Sequence, residues 1–307
     1  MDSSLVSGGI ILSGASGMLG VALHQALASQ EIPTLQLLRR KASREGQLQW
    51  HPDAASPIEN SGSLEGAEAA IHLSGASVAG HRWSDAYKRE MATSRVDSTL
   101  RLATVLASLR RPPKAFFVAS AIGIYGHRGD DVLDETSAPG IGFLAELCEQ
   151  WEAAAAPAVA AGIRVVHLRF GVVLGPGKGA LQQMLPLFRA GLGAKLGSGR
   201  QWMSWVGLED VVAAILFALR SQTLSGPLNV TAPHPVTNGE FTHALGHALH
   251  RPAFLTAPDF ALRMMFGQMA DEALLASARA LPAKLLEAGF RFTLPTVDAA
   301  LRAALGR

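Results

Sequence analysis

Cysteine and tyrosine are what this chain has least of. A single cysteine, Cys148, stands among 307 residues, which excludes an internal disulfide and any cysteine-rich metal site. Only two tyrosines occur, Tyr87 and Tyr125, so a mechanism built on a tyrosine has two candidates. Hydrophobic residues make up 49% of the chain and mean hydropathy is +0.21, yet no apolar run approaches the roughly 18 residues of a membrane helix. A soluble protein with a well-filled core is expected, with no membrane partner. Excess charge of one sign is also missing. Lys and Arg number 27 against 25 Asp and Glu, for a net charge of +2, which gives no footprint for a nucleic-acid partner. The N-terminus has neither the basic nor the apolar region of a signal peptide, and the cytoplasm is the expected compartment.

What is present starts with Ile10 to Gly20, IILSGASGMLG. An apolar run stops at Gly14 and a helical pattern begins behind Gly17, which reads as strand, tight turn and helix N-terminus. Gly14 allows the turn, Gly17 has no side chain to block a pyrophosphate, and Gly20 lets the helix press on the strand. The unpaired amides at the helix start, around Ser16, Gly17, Met18 and Leu19, then face an anion. The alternative is an ordinary turn between strand and helix. A second strand about 20 residues later, where the partner of the adenosine ribose belongs, ends in Arg39, Arg40 and Lys41. An acidic residue there would bind a ribose hydroxyl and repel a 2′-phosphate. Arginine pairs bidentately with phosphate, so NADP(H) is the expected cofactor. A solvated basic turn is the competing reading.

From Gly9 onward, apolar runs of strand length alternate with helical patterns, the signature of a parallel sheet covered on both faces. The strand candidates are 10–12, 35–38, 69–74, 115–120, 163–170 and 227–230, and their carboxyl ends share one edge, where a site belongs. After Leu174 the texture changes to a glycine-rich excursion. A helix over 208–220 returns to the sheet, and from Val236 the pattern is helical and broken by prolines. The expected fold is α/β: a doubly wound Rossmann sheet spanning residues 8–174 and 204–232, with a smaller C-terminal α/β domain from 175–203 and 233–307. There is no internal repeat.

Eight motifs carry a family resemblance: SGASGMLG at Ser13, HLSGASVAGHRW at His72, SRVDST at Ser94, SAIGIYG at Ser120, LCEQWE at Leu147, LRFGVVLGPGKGAL at Leu168, GLGAKLGSGRQWMSWVGLEDV at Gly191 and LPAKLLEAGFRF at Leu281. In this order the chain resembles the extended short-chain dehydrogenase/reductases, within them the atypical epimerase-like group often labelled as related to the cell-division inhibitor SulA. The resemblance implies a dinucleotide on the Rossmann domain and a small domain closing over a substrate cleft. It also implies that Leu73, Ser74 and Gly75 line the adenosine side, with Ser94 and Arg95 facing the cofactor. Arg95 on a helix also reads as a surface charge.

The usual chemistry of that family needs a tyrosine, a lysine four residues later, and a nearby Ser or Thr. Here Tyr87 and Tyr125 are followed at that spacing by Met91 and Gly129, and the expected pair falls on Phe143 and Leu147. The hydroxyl position falls on Ala121, with Ser120 one place earlier. Tyr125 and Ser120 remain the catalytic candidates, though for Tyr125 the favoured reading is a packing residue on the substrate wall. Glu146 and Glu149 lie on the replacing helix, as does Cys148, read as a small buried hydrophobe. His127, Asp130, Asp131 and Asp134 read as an acid/base or metal cluster or, more simply, as a solvated loop, and Lys178 as a contact for an anion. On the substrate side, Arg82 and Trp83, and Arg200 and Trp202 with Trp205 beyond, suit a flat or anionic ligand. His243, His247 and His250 fall at helical spacing without the further ligand a metal site requires, so no metal is expected. Three functions compete: an NADP(H)-dependent oxidoreductase or epimerase on a small carbonyl or sugar-like substrate; a protein that has lost catalysis and senses NADP(H) or holds a partner; and, on the family label alone, regulation of division through protein contacts. The oligomeric state is left open between monomer and homodimer.

Overall fold

The computed structural model describes residues 8–307 apart from 53, 55 and 56; the first seven residues, part of the leader reading, lie outside it. Seven strands form one sheet: β1 (Ile10–Ser13), β2 (Thr34–Leu38), β3 (Gln47–Gln49), β4 (Ala69–His72), β5 (Ala115–Ala121), β6 (Arg164–Phe170) and β7 (Gly226–Val230). Their order is 7-6-5-4-1-2-3 and every pairing is parallel. That is the doubly wound Rossmann order, with its switch point between β1 and β4, the place where folds of this order bind ligands at the carboxyl ends. Six of the seven follow the apolar runs. The exception is β3, Gln-Leu-Gln at the sheet edge, too short and polar to stand out.

Successive side chains of a strand point to opposite faces, and the two cores follow from it. Ile10 and Leu12 pack with Ile71, Phe117 and Leu168, under α1 (Met18–Ser29) and the helix Leu208–Arg220, which touch each other. Ile11 packs with Leu35, Leu37, Phe116 and Trp50 on the opposite face, under α3 (Ser98–Ala107). Between α2 (Asp85–Ala92) and α3 lies a π-helical turn, Thr93–Asp97, a rare geometry that concentrates at functional sites.

A separate core unites Leu181, Leu185 and Phe188 with Trp205, Phe241 and Leu301. The tail expected to be helical also contributes short strands, such as Leu255–Ala257 beside Ala194–Leu196 and Arg279–Ala280 beside Val132–Leu133. These ladders tie the C-terminal third to the excursion and to the loop after β5.

Candidate functional site

The loop after β1 is built by contact with the loop after β4. Gly14 has φ +73°, and a Cβ there would stand 2.7 Å from the Leu73 carbonyl group and 2.9 Å from the Ser74 nitrogen. A Cβ on Gly20 would run into the Gly14 carbonyl oxygen. Gly17 differs from both. Its backbone is extended (φ −74°, ψ 168°), and an added Cβ meets nothing nearer than Gly14 O at 3.4 Å, so the fold itself does not demand glycine there. Gly17 and Ser16 are exposed, and Met18 and Leu19 are half-buried. As N-cap of α1, Gly17 supplies no side-chain cap, which leaves first-turn amides open to an external acceptor. Lys178 reaches the same loop, its Nζ 3.3 Å from Ser16 O.

Arg39 and Arg40 follow β2 directly and are exposed, one strand away from that loop, since Leu37 pairs with Ser13. Leu73 and Ser74 are half-buried and Gly75 is exposed. Arg95 is not a surface charge: it is 8% exposed and lies under the 73–76 loop. It donates to Ala76 O at 2.7 Å and Met91 O at 3.3 Å, with its guanidinium 5.1 Å from the Trp151 ring. Burial lowers its pKa. Ser94 Oγ accepts from Ala76 N–H at 3.1 Å. The π turn thus anchors the loop from below.

His72, the last residue of β4, is fully buried between Ser13 and Ser98. Burial pushes its pKa down to about 3. The folded protein therefore keeps it neutral, whereas an unfolded chain protonates it near 6.5. Between those values the unfolded state binds one more proton, so stability rises with pH and is lost on acidification, by at most about 1.4 kcal/mol per pH unit for this group. Chemical denaturation of wild type and His72→Asn from pH 6.5 to 4.5 is expected to show a shallower decline in the variant; equal slopes would show that His72 is not the group responsible.

Beside this, β5, β6 and β7 end in one polar cluster. Ser120 donates to Glu152 Oε1 at 2.7 Å, and Arg169 grips the same carboxylate with Nε at 2.8 Å and Nη2 at 2.9 Å. Arg169 Nη1 donates at 3.0 Å to the Tyr125 hydroxyl, which lies 2.8 Å from both Asn229 Oδ1 and the Asp134 carbonyl. Burial lowers the Arg169 pKa, but its bonds to Glu152 outweigh burial and raise it. Tyr125 is 0% exposed and Ser120 2%, and burial raises the Tyr125 pKa. The two hydroxyls expected to act on a ligand are thus locked inside the protein with their protons committed. Cys148 is buried and its thiol is pushed up to about 12 by burial, which makes it inert. Ser120 and Tyr125 stood out in the sequence; Glu152 and Arg169 did not, because a helix end and a strand meet only through the topology.

Residues 10–230 match the model of the NAD dependent epimerase/dehydratase family. The chain belongs to that family. Residues 257–304 match a domain of unknown function, DUF1731. An epimerase family protein of Mycobacterium leprae is 43% identical over 298 residues, covering 97% of this chain and 96% of its own length. The human epimerase family protein SDR39U1, solved with NADPH, aligns with TM-score 0.89 and 31% identity over 97% of this chain and 99% of that one. A nucleoside-diphosphate sugar epimerase from Corynebacterium glutamicum aligns with TM-score 0.78 and 34% identity, covering 97% of this chain and 58% of that one.

In this epimerase-family chain the helix read as replacing the tyrosine helix, α4 (Phe143–Ala153), receives a carboxylate from the far end of the sequence. Glu272 Oε2 accepts from Leu144 N–H at 2.8 Å, and Glu272 Oε1 accepts from Gln268 at 2.6 Å. Gln268 in turn holds Lys88. The substrate-side expectations are partly overturned. Trp83 is 8% exposed and packs with Tyr87, Met91, Leu147 and Met269, and Trp205 is 0% exposed in the second core; both are core residues, not ligand walls. Arg82 is exposed and donates to Met264 O at 3.4 Å. Trp202 is half-buried, donates to Asp130 at 2.8 Å and lies 4.2 Å under the Arg279 guanidinium; Arg200 is exposed. Arg82 thus sits against the segment around Met264 and Trp202 against Asp130, without a shared contact. The acidic loop disperses too: His127 accepts from Ser277 N–H at 3.0 Å, Asp131 pairs with Arg128 at 3.6 Å, and Asp134 turns back on Thr136. His243, His247 and His250 are exposed. Among the described residues no helix is long and apolar enough to cross a membrane.

Proposed function

We propose that this epimerase-family protein binds NADP(H) along the carboxyl edge of the sheet and acts as an oxidoreductase on a small carbonyl or sugar-like substrate. The observation that carries the reading is Gly17: an open position at uncapped helix amides, where the fold tolerates a side chain and the sequence has none. That cradle fits a pyrophosphate, and the NADPH of the human relative SDR39U1 supports the same cofactor. In this reading the α1 amides and Lys178 hold the pyrophosphate, Arg39 and Arg40 take the 2′-phosphate, and Leu73, Ser74 and Gly75 line the adenosine, on a loop fixed by Arg95. Residues 8–174 and 204–232 carry the cofactor; 175–203 and 233–307 cover the cleft.

Bound NADP(H) supplies or takes the hydride. The chain's own part is charge stabilisation, since no tyrosine–lysine pair holds a phenolate at low pKa. The Arg169–Glu152 pair and Tyr125 hold strand ends in place, and a donor, Arg200, Arg82 or a backbone N–H, meets the charge that develops on a carbonyl oxygen. A conjugated carbonyl, which delocalises that charge, is therefore reduced better than a simple alcohol is oxidised. The sealed Tyr125 and Ser120 favour a second reading, a protein that senses NADP(H) or holds a partner without turnover. Quinones, enones and secondary alcohols assayed with NADPH or NADP⁺ separate the two. The first reading expects turnover of conjugated carbonyls that survives Tyr125→Phe. Brisk alcohol oxidation abolished by Tyr125→Phe contradicts it, and no turnover at all selects the second.

A further inference from the structure

His72 connects the two loops that the proposed function assigns to the cofactor, and the hydrogen bonds around it fix the direction of every proton. Ser98 Oγ lies 2.7 Å from Ser94 O and 3.3 Å from Arg95 O. Carbonyls only accept, so the single Ser98 proton points at them. The contact between Ser98 Oγ and His72 Nε2 at 3.1 Å then requires a proton on Nε2. A neutral imidazole carries one proton, which leaves Nδ1 as an acceptor, and Ser13 Oγ at 2.5 Å must donate to it. With its own proton spent, Ser13 Oγ is an acceptor for Ser74 Oγ at 3.3 Å. Ser74, half-buried in the loop after β4, spends its proton inward as well.

We propose that His72 is a positioning residue: an Nε2-protonated neutral imidazole that turns the Ser13 and Ser74 hydroxyls inward, so that Ser74 presents only lone pairs to the cofactor cleft. A hydroxyl in that state accepts from a hydroxyl or amide donor and offers nothing to a phosphate oxygen, which can only accept. The relay thereby sorts the dinucleotide along the edge: donors such as ribose hydroxyls at the end of β4, and phosphates at the amides of α1. The surroundings keep His72 neutral. It packs against the Trp50 ring at 5.7 Å in a T-shaped contact and the Phe116 ring at 6.5 Å, and among the described residues its nitrogens bond to the two serines. The same contacts make the relay mechanical, because Ser13 precedes Gly14 directly and the Gly14 backbone lies against Leu73 and Ser74. A shift of the imidazole moves both loops together.

This inference rests on the NADP(H) reading for what Ser74 accepts, and not for the state of His72. Long-range ¹H–¹⁵N NMR on histidine-labelled protein reads that state directly, with the His72 signals among the 10 histidines identified by their loss in His72→Asn or, should that variant not fold, by their change in Ser98→Ala. The expected pattern is one protonated Nε2 and one bare Nδ1, retained at pH 5. A protonated Nδ1, or an imidazolium at pH 6, overturns the relay. Titration with NADPH then tests its use. Ser74→Ala and Ser13→Ala are each expected to weaken binding roughly five- to tenfold, with the double variant no weaker than the worse single one, because both remove the same oriented acceptor. Unchanged affinity in Ser74→Ala overturns the assignment of Ser74. Wild-type protein that binds no NADPH fails the functional reading, while the NMR result still decides the relay.

Discussion

Gly17→Val is expected to abolish NADPH binding while moving Tm by no more than about 1 °C, an effect of under about 1 kcal/mol on folding. The two halves have separate causes. Residue 17 has extended backbone angles and an added Cβ finds its nearest neighbour at 3.4 Å, so the protein accommodates the side chain. The branched side chain would instead fill the space above the open amides of α1, where a pyrophosphate has to approach. Gly14→Val, with φ +73° and the Leu73 carbonyl 2.7 Å away, is the control that damages the fold itself. Calorimetric titration and a thermal melt of each variant separate them. Normal NADPH affinity in Gly17→Val would show that the loop is only a turn.

Glu152→Ala is expected to lower stability by about 3–5 kcal/mol, a fall in Tm of roughly 5–8 °C for a chain of this length. Its carboxylate takes two bonds from Arg169 and one from Ser120, and the side chains of the ion pair are only 8% and 13% exposed. Removing it strands a buried guanidinium, which then pulls on the Tyr125 hydroxyl. Glu152→Gln keeps an acceptor and is expected to lose less. Denaturant melts with full baselines measure both, and a loss below 1 kcal/mol in Glu152→Ala would mean that Arg169 finds another partner or reaches water.

The glycine turn, the six apolar strands and the helix over 208–220 were legible because each depends on local pattern: periodicity, glycine spacing, apolar runs of strand length. What stayed hidden depends on topology. His72 in HLSG carries no mark of burial, and only the register that sets it opposite Ser13 and Val118 encloses it. Glu152 and Arg169 sit on a helix end and a strand, and Glu272 reaches Leu144 across 128 residues. Trp83 and Trp205 misled for the opposite reason. Tryptophan beside arginine in a glycine-rich stretch suggests a binding wall, yet both rings fill apolar clusters of their own, separate from the two cores of the sheet. Tyr125 was legible as one of only two tyrosines, and its sealing by Asn229, Asp134 and Arg169 required strands 5, 6 and 7 side by side.

The central claim is a site built for NADP(H), and calorimetric titration of the wild-type protein and of Arg39→Ala/Arg40→Ala with NADPH and NADH tests it most directly. Each arginine gives a 2′-phosphate a charge-assisted contact of about 1.5–3 kcal/mol, with tenfold in affinity for every 1.4 kcal/mol. Wild type is expected to bind NADPH at least about tenfold more tightly than NADH, and the double variant to bind the two alike. Equal affinities in the wild type, or a preference for NADPH that outlives both arginines, would contradict it.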